Sequence, residues 1–140
     1  MRVPLILGDS GLVVLDASWG EIKPIELADG VRTVGELEVM EHLRGGLALI
    51  DSRLPEAYAA ATIPGARSIP HAEAAERAGE LDRHRPTVFF CNGPQCGASP
   101  DAIDALLAAG HPPGVIFYYR GGLHDWISLG LPLEPGRPAG

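Results

Sequence analysis

Cysteine is scarce in this chain: its 140 residues include only Cys91 and Cys96. That count excludes a disulfide-stapled secreted scaffold. Two cysteines at this spacing, with five scattered histidines, match no common zinc-ligand pattern, so no metal is expected. Long hydrophobic runs are missing as well. No apolar stretch approaches the length needed to cross a bilayer, and Val3-Pro4-Leu5-Ile6-Leu7 is cut off by Gly8-Asp9-Ser10 before it could form a signal-peptide core. Basic clusters are absent too. The ten arginines are scattered and the formal net charge is −7, which argues against a nucleic-acid surface. The acidic residues are dispersed and read as a solvated face. There is no internal repeat or low-complexity block. These absences leave one domain large enough for a real core. They also leave two thiols suited to a reducing compartment, with the cytoplasm as the expected location.

The periodicities that are present predict an α/β domain. Leu5-Ile6-Leu7 and Leu12-Val13-Val14-Leu15 flank Gly8-Asp9-Ser10-Gly11, so residues 1–30 are expected to form an N-terminal β-hairpin extension, covering a sheet edge. Thr33-Val34-Gly35-Glu36 has the form of a capping box, after which Leu37, Met40 and Leu43 recur at helical spacing. Leu47 to Ile50 and Thr87 to Phe90 are short, continuously apolar runs, as expected for parallel strands buried on both faces. Between them come a helix from Pro55 to about Ala61, a short strand at Ser68-Ile69 and an exposed helix over His71 to Gly79. A further strand, Val115 to Tyr118, and a helix, Leu123 to Leu129, precede a Pro/Gly-rich tail expected to be loose from Pro132, with 135–140 flexible. Alternation at these lengths implies a mainly parallel sheet flanked by helices.

The most informative segment is Phe89-Phe90-Cys91-Asn92-Gly93-Pro94-Gln95-Cys96-Gly97-Ala98-Ser99-Pro100. A buried strand delivers Cys91 into a Gly/Pro-rich loop, and a helix follows with Ser99 as expected cap, Pro100 in the first turn and Asp101 at the positive end. Sites in parallel sheets lie beyond the carboxyl ends of the strands. Unpaired N–H groups at a helix start favour a thiolate, the reactive form of cysteine. A cysteine at a strand end serves either that purpose or simple buried packing.

Three further segments place the loop in context. Upstream lie Leu49-Ile50-Asp51-Ser52-Arg53 with Tyr58, and Ile63-Pro64-Gly65-Ala66; downstream lies Gly121-Gly122-Leu123-His124-Asp125-Trp126. In this order the chain resembles the rhodanese-like (thiosulfate sulfurtransferase-like) domain family, through its D-x-R…Y, I-P-G-A and G-G-x-x-x-W signatures. The resemblance covers about Thr33 to Glu134, and the domain is expected over 31–134. It implies a single-domain sulfurtransferase without cofactor, with Cys91 carrying sulfane sulfur as a persulfide. Sulfur would come from thiosulfate, a polysulfide or a persulfide and pass to a thiol or other nucleophilic acceptor. No nucleic acid or membrane partner is implied.

The resemblance also assigns roles around Cys91. Asn92, Gly93, Pro94, Gln95, Gly97, Ala98 and Ser99 would form an anion cradle of backbone N–H groups, although the glycines could equally serve only to shape a turn. The loop is longer than the usual sulfurtransferase loop, and Ala98 stands where many relatives have an arginine. Weak handling of thiosulfate is therefore expected, and phosphatase chemistry on this fold is disfavoured. Ala61-Thr62 replace the family's usual glycine and histidine. Cys96 reads as a resolving thiol or as a small side chain shaping the loop. Arg120, just after a strand, could supply the missing positive charge or make a surface ion pair. Asp51, Arg53, Tyr58 and Trp126 are expected to be scaffold. Two rivals remain at this level: a thiol redox protein or sensor using Cys91 and Cys96, and a rhodanese-fold interaction module without turnover.

Overall fold

The computed structural model describes residues 24–137, together with the strands β1 (Leu5–Ile6) and β2 (Val13–Val14). These two pair antiparallel, Leu5 opposite Val14 and Ile6 opposite Val13. The turn expected over Gly8 to Gly11, and any cover over a sheet edge, lie outside the described residues.

The domain is built on five parallel strands: β3 (Arg32–Thr33), β4 (Leu49–Asp51), β5 (Arg67–Ser68), β6 (Thr87–Phe90) and β7 (Ile116–Tyr119). Their spatial order is β3-β7-β6-β4-β5, so the strand that ends at Cys91 is the middle one. The register sets Asp51 beside Phe90 and Phe90 beside Tyr119, aligning the carboxyl ends of β4, β6 and β7. From β4 the chain runs outward to β5, then crosses back to β6 and continues to β7. The loops after β4 and β6 therefore leave the sheet in opposite directions.

Four helices flank the sheet: α1 (Glu36–Arg44), α2 (Pro55–Ala60), α3 (Ala98–Ala108) and α4 (Gly122–Ser128). Strand residues alternate faces, and the core divides accordingly. Ile50, Phe89 and Tyr118 pack with Ala102, Ile103 and Leu106 of α3. Leu49, Val88, Phe90 and Tyr119 pack on the opposite face with Val39, Tyr58, Leu123 and Trp126 of the other three helices. Every residue of β4 and β6 is buried, which explains their unbroken apolar runs.

Several expectations are corrected. α1 turns Val39, His42 and Leu43 towards the sheet, so Leu37 falls on the opposite side and is 79% exposed. The helix is capped at Gly35, whose N–H donates to Glu38 at 3.1 Å, while Thr33 belongs to β3. No regular helix spans His71 to Gly79; two 3₁₀ turns, His71–Glu73 and Ala78–Glu80, replace it. Ala74 is the one fully buried side chain there, too little apolar surface to stabilise a helix. The Pro132–Arg137 stretch, expected to be loose, is held against α2. Thr62 and Glu134 exchange backbone hydrogen bonds of 2.8 and 3.0 Å, and the Gly136 N–H donates to the Ala59 carbonyl. The Arg137 N–H donates to the Tyr58 hydroxyl at 3.1 Å, and Leu131 and Leu133 pack on the core. Residues 138–140 lie outside the described residues.

Candidate active site

Cys91 follows the last residue of β6 and is buried, 1% exposed. Its loop is clamped from one side by the start of α4. The Leu123 N–H donates to the Cys91 carbonyl at 3.1 Å, and the His124 N–H to the Asn92 carbonyl at 2.7 Å. This approach depends on Gly122, where φ is +58°. A Cβ at that position would lie 2.4 Å from the Cys91 carbonyl oxygen and 2.9 Å from the Gly93 nitrogen. Only glycine tolerates both the torsion and the contact. From the other side, the Ser52 N–H extends the β4–β6 ladder by donating to the Phe90 carbonyl at 2.9 Å.

Within the loop, Cys96 closes a turn by donating its N–H to the Gly93 carbonyl at 3.0 Å, with Pro94 and Gln95 at the corner. α3 begins one residue before the expected cap. The Gly97 carbonyl accepts from the Asp101 N–H at 2.9 Å, so Gly97 is the cap and Ser99 lies inside the first turn. The Ser99 N–H is thereby left pointing at the Cys91 sulfur, 3.4 Å away, while its hydroxyl donates to the Ser52 hydroxyl at 3.1 Å.

The donors of the loop do not all converge on Cys91. The Cys91 S–H donates to the Cys96 carbonyl oxygen at 3.6 Å. Burial pushes the Cys91 thiol well up, its partner Cys96 adds to this, and the Ser99 donors oppose it without prevailing. Cys96 behaves in the opposite way. The hydrogen bond from Cys91 lowers it to about 6 against the cost of burial, helped by the Ala98 and Asn92 N–H groups and the Arg53 charge. Of the two coupled thiols, Cys96 is therefore the more acidic and Cys91 the less. The low thiol expected at Cys91 is corrected accordingly: the Ala98 and Asn92 N–H groups act to lower Cys96, and Cys91 is the deeper of the two.

Arg53 does more than join loops. It is 3% exposed and forms a two-pronged pair with the fully buried Asp51, Nε to Oδ1 at 3.0 Å and Nη2 to Oδ2 at 2.7 Å. The guanidinium also donates to the Ala61 carbonyl at 2.6 Å and reaches Asn92 Oδ1 at 3.4 Å. The Thr62 hydroxyl donates to Asp51 Oδ2 at 2.9 Å, so Thr62 serves this network. A buried charge pair completed by this many hydrogen bonds is the form in which such pairs are tolerated. Tyr58 donates to the Ala66 carbonyl at 3.0 Å, tying α2 to the turn that precedes β5. Trp126 donates its Nε1–H to the Pro132 carbonyl at 2.7 Å and packs edge-on to Tyr119. Arg120 is half-buried just past β7; its charge and those of both cysteines act on the Tyr118 phenol, which burial pushes up.

Ser52, Thr62, Leu123 and His124 hold the loop and the Asp51–Arg53 pair through hydrogen bonds that the sequence did not assign to them. Ser52 and Thr62 lie within or beside recognised motifs, where a small polar residue bounded by buried positions was the available signal. Leu123 and His124 act through backbone atoms and carry no such signal. Among the described residues, no group of three or more His, Cys, Asp or Glu side chains could hold a metal ion, and no helix is long and apolar enough to cross a membrane.

Strand ends whose loops leave in opposite directions, with a cysteine after the middle strand and a D-x-R pair beside its loop, define a class of α/β domain. A family model described as the rhodanese-like domain matches residues 36–129. The chain belongs to that family. Over 96 residues it is 38% identical to an HTH-type transcriptional regulator of Mycobacterium tuberculosis, covering 69% of this chain and 41% of that protein. The chain thus spans about two-fifths of the length of this curated relative. A thiosulfate sulfurtransferase from Pseudomonas aeruginosa has a similar structure, with TM-score 0.66 and 29% identity, covering 76% of this chain and 21% of that one. The rhodanese-like domain of an Anabaena protein superposes with TM-score 0.63 at 24% identity, covering 77% and 85% of the two chains, a likeness of fold.

Proposed function

We propose that the protein is a sulfurtransferase that carries sulfane sulfur on Cys91. The observation that carries this reading is the Ser99 N–H aimed at the Cys91 sulfur from the first turn of α3, at the end of the middle strand. That donor lies in place to stabilise negative charge on a thiolate or on a persulfide. The donor is thiosulfate, a polysulfide or a persulfide, and the acceptor is a thiol or another nucleophile. Attack by the Cys91 thiolate on thiosulfate forms the Cys91 S–S bond and expels sulfite. The acceptor then removes the outer sulfur and restores the thiolate. Both cysteines are free, and the cytoplasm is the setting that keeps them so. The similarity to a sulfurtransferase at 29% identity supports the reading.

The test is intact-mass analysis of the Cys96→Ser chain, in which no second thiol on the loop can displace the added sulfur, after incubation with thiosulfate, followed by cyanide. The expected result is one added sulfur atom, lost again as thiocyanate. Cys91→Ser should neither load nor form thiocyanate, and loading that survives this substitution would overturn the assignment.

A second reading is a regulatory module that senses sulfur or oxidant through the same cysteines without sustained turnover. The 38% identity to a protein named as a transcriptional regulator favours it. Loading at Cys91 without catalytic thiocyanate production in the presence of excess cyanide would select this alternative.

A further inference from the structure

The donors facing Cys96 are those expected to hold an incoming anion. The Asn92 and Ala98 N–H groups and the Arg53 charge all act on its sulfur, and the side chain is 7% exposed. Cys96 stands on the same loop as Cys91, its carbonyl oxygen 3.6 Å from the Cys91 sulfur and both side chains buried. The turn from Gly93 to Cys96 and the clamp from α4 hold the two on one short loop. A sulfur added to Cys91 would enter a space where a second thiol already stands.

We infer that Cys96 is a resolving thiol, which attacks the Cys91 persulfide, closes a Cys91–Cys96 disulfide and releases hydrosulfide. This rests on the persulfide reading above and extends it. In the first step Cys96 takes the Cys91 proton while the Cys91 sulfur attacks thiosulfate. An S–S bond forms to Cys91, the S–S bond of thiosulfate breaks, and sulfite leaves with the electron pair. In the second step the Cys96 sulfur attacks Cys91 Sγ. The new bond joins the two cysteines, the bond to the outer sulfur breaks, and that sulfur leaves as hydrosulfide with the proton that Cys96 held. The outer sulfur is reduced and the two cysteines are oxidised together. A dithiol, or two molecules of a small thiol, must then reopen the disulfide, becoming oxidised in turn. The net reaction converts thiosulfate and two thiols into sulfite, hydrogen sulfide and a disulfide.

Leaving-group chemistry decides which sulfur Cys96 attacks. Attack on the outer sulfur would expel a Cys91 thiolate, an anion that burial penalises. Attack on Cys91 Sγ expels hydrosulfide, which can leave for solvent, and thiol–disulfide exchange proceeds faster through the better leaving group. Holding both sulfurs on one loop gives the internal thiol an effective concentration that a dissolved acceptor does not match.

The experiment is a single turnover of the full chain with thiosulfate in the absence of any reductant, followed by intact-mass analysis and a colorimetric sulfide assay. The wild-type chain should lose two hydrogens and release one equivalent of hydrosulfide. Cys96→Ser should load more slowly, because Cys96 no longer takes the Cys91 proton, and should stop with one added sulfur on Cys91, releasing no sulfide until an external thiol is supplied. A wild-type chain that keeps its added sulfur and releases no sulfide would overturn the resolving role and leave the Cys91 carrier intact. A disulfide formed without sulfide would overturn it equally, because direct oxidation would then be the route. If neither chain gains sulfur nor releases sulfide, the persulfide reading itself fails. The wild-type measurements decide the matter even if the variant folds poorly.

Discussion

Gly122→Ala tests the claim that the α4 clamp sets the shape of the Cys91 loop. At this position φ is +58°, and a Cβ would lie 2.4 Å from the Cys91 carbonyl oxygen and 2.9 Å from backbone atoms of Asn92 and Gly93. The left-handed torsion alone costs an alanine about 1–2 kcal/mol. The contact adds more, because backbone atoms cannot turn aside as a side-chain tip can. Relieving it moves α4 away and breaks the Leu123 and His124 hydrogen bonds to the loop, at about 1 kcal/mol each. The expected total is about 3–4 kcal/mol. Gly110→Ala separates the two terms, since its φ is +89° but nothing lies within 4 Å of an added Cβ. It should cost only the torsional part, about 1–2 kcal/mol. Urea unfolding of both variants with an unchanged m-value measures the difference, and sulfur loading of Gly122→Ala should fall further than its loss of stability accounts for. Equal costs at the two glycines, or normal loading in Gly122→Ala, would refute the clamp.

Iodoacetamide should alkylate Cys96 in the wild-type chain with a rate midpoint near pH 6. Cys91→Ala removes the strongest cause of that low value, so the midpoint should rise towards the free-cysteine value of about 8.5, while the Arg53 charge and the neutral Tyr118 phenol stay in place. A midpoint that does not move would show that the thiol–thiol hydrogen bond is not what holds the anion. Stability is linked to the same titration: a lowered Cys96 contributes stability that is present above its unfolded value and lost as pH falls through about 6. The wild-type chain should therefore gain stability relative to Cys96→Ser between about pH 6 and 8.5 in urea titrations, and a flat difference would count against the thiolate. Asp51→Asn leaves Arg53 buried without its counter-charge and should cost about 3–5 kcal/mol in urea unfolding; a loss below about 1 kcal/mol would mean that the pair is screened like a surface one. Ala98→Arg should lower the thiosulfate KM in a cyanide assay if the missing cation limits donor binding, and an unchanged KM in a folded variant would make the shape of the loop responsible instead.

Much of the fold was legible because burial on both faces leaves a plain mark. Leu49, Ile50 and the Thr87–Phe90 run could be little else than parallel strands, and Cys91 directly after such a run had to lie at a strand end. Elements whose identity depends on tertiary contact were less legible. The His71–Gly79 stretch has helix-forming composition, yet with only Ala74 fully buried it closes as two 3₁₀ turns. The Pro132–Arg137 stretch looks loose in composition but is fixed by partners far away in the chain, the Thr62 backbone and the Tyr58 hydroxyl. Leu37 matched the helical spacing and still faces solvent, because apolar spacing does not reveal which side of α1 meets the sheet.

The division of labour between the two cysteines could not be read from their spacing. A helix start after Cys91 argues for a thiolate there, and the Ser99 N–H does point at its sulfur. But a charge depends on the balance between donors and desolvation, and neither follows from position in the chain. Cys91 is sealed by Ser52, Ser99 and the α4 clamp, whereas Cys96 draws on Asn92, Ala98 and an arginine that the D-x-R motif had marked only as scaffold. Taking Arg53 into the site also changes the meaning of Ala98. The cation that relatives place at the loop is not wholly lost, because one acts from beneath it, where Asp51 absorbs part of its charge. Such a site polarises a thiol inside the loop more readily than it attracts an oxyanion from outside. That asymmetry is what the proposed resolving role of Cys96 rests on.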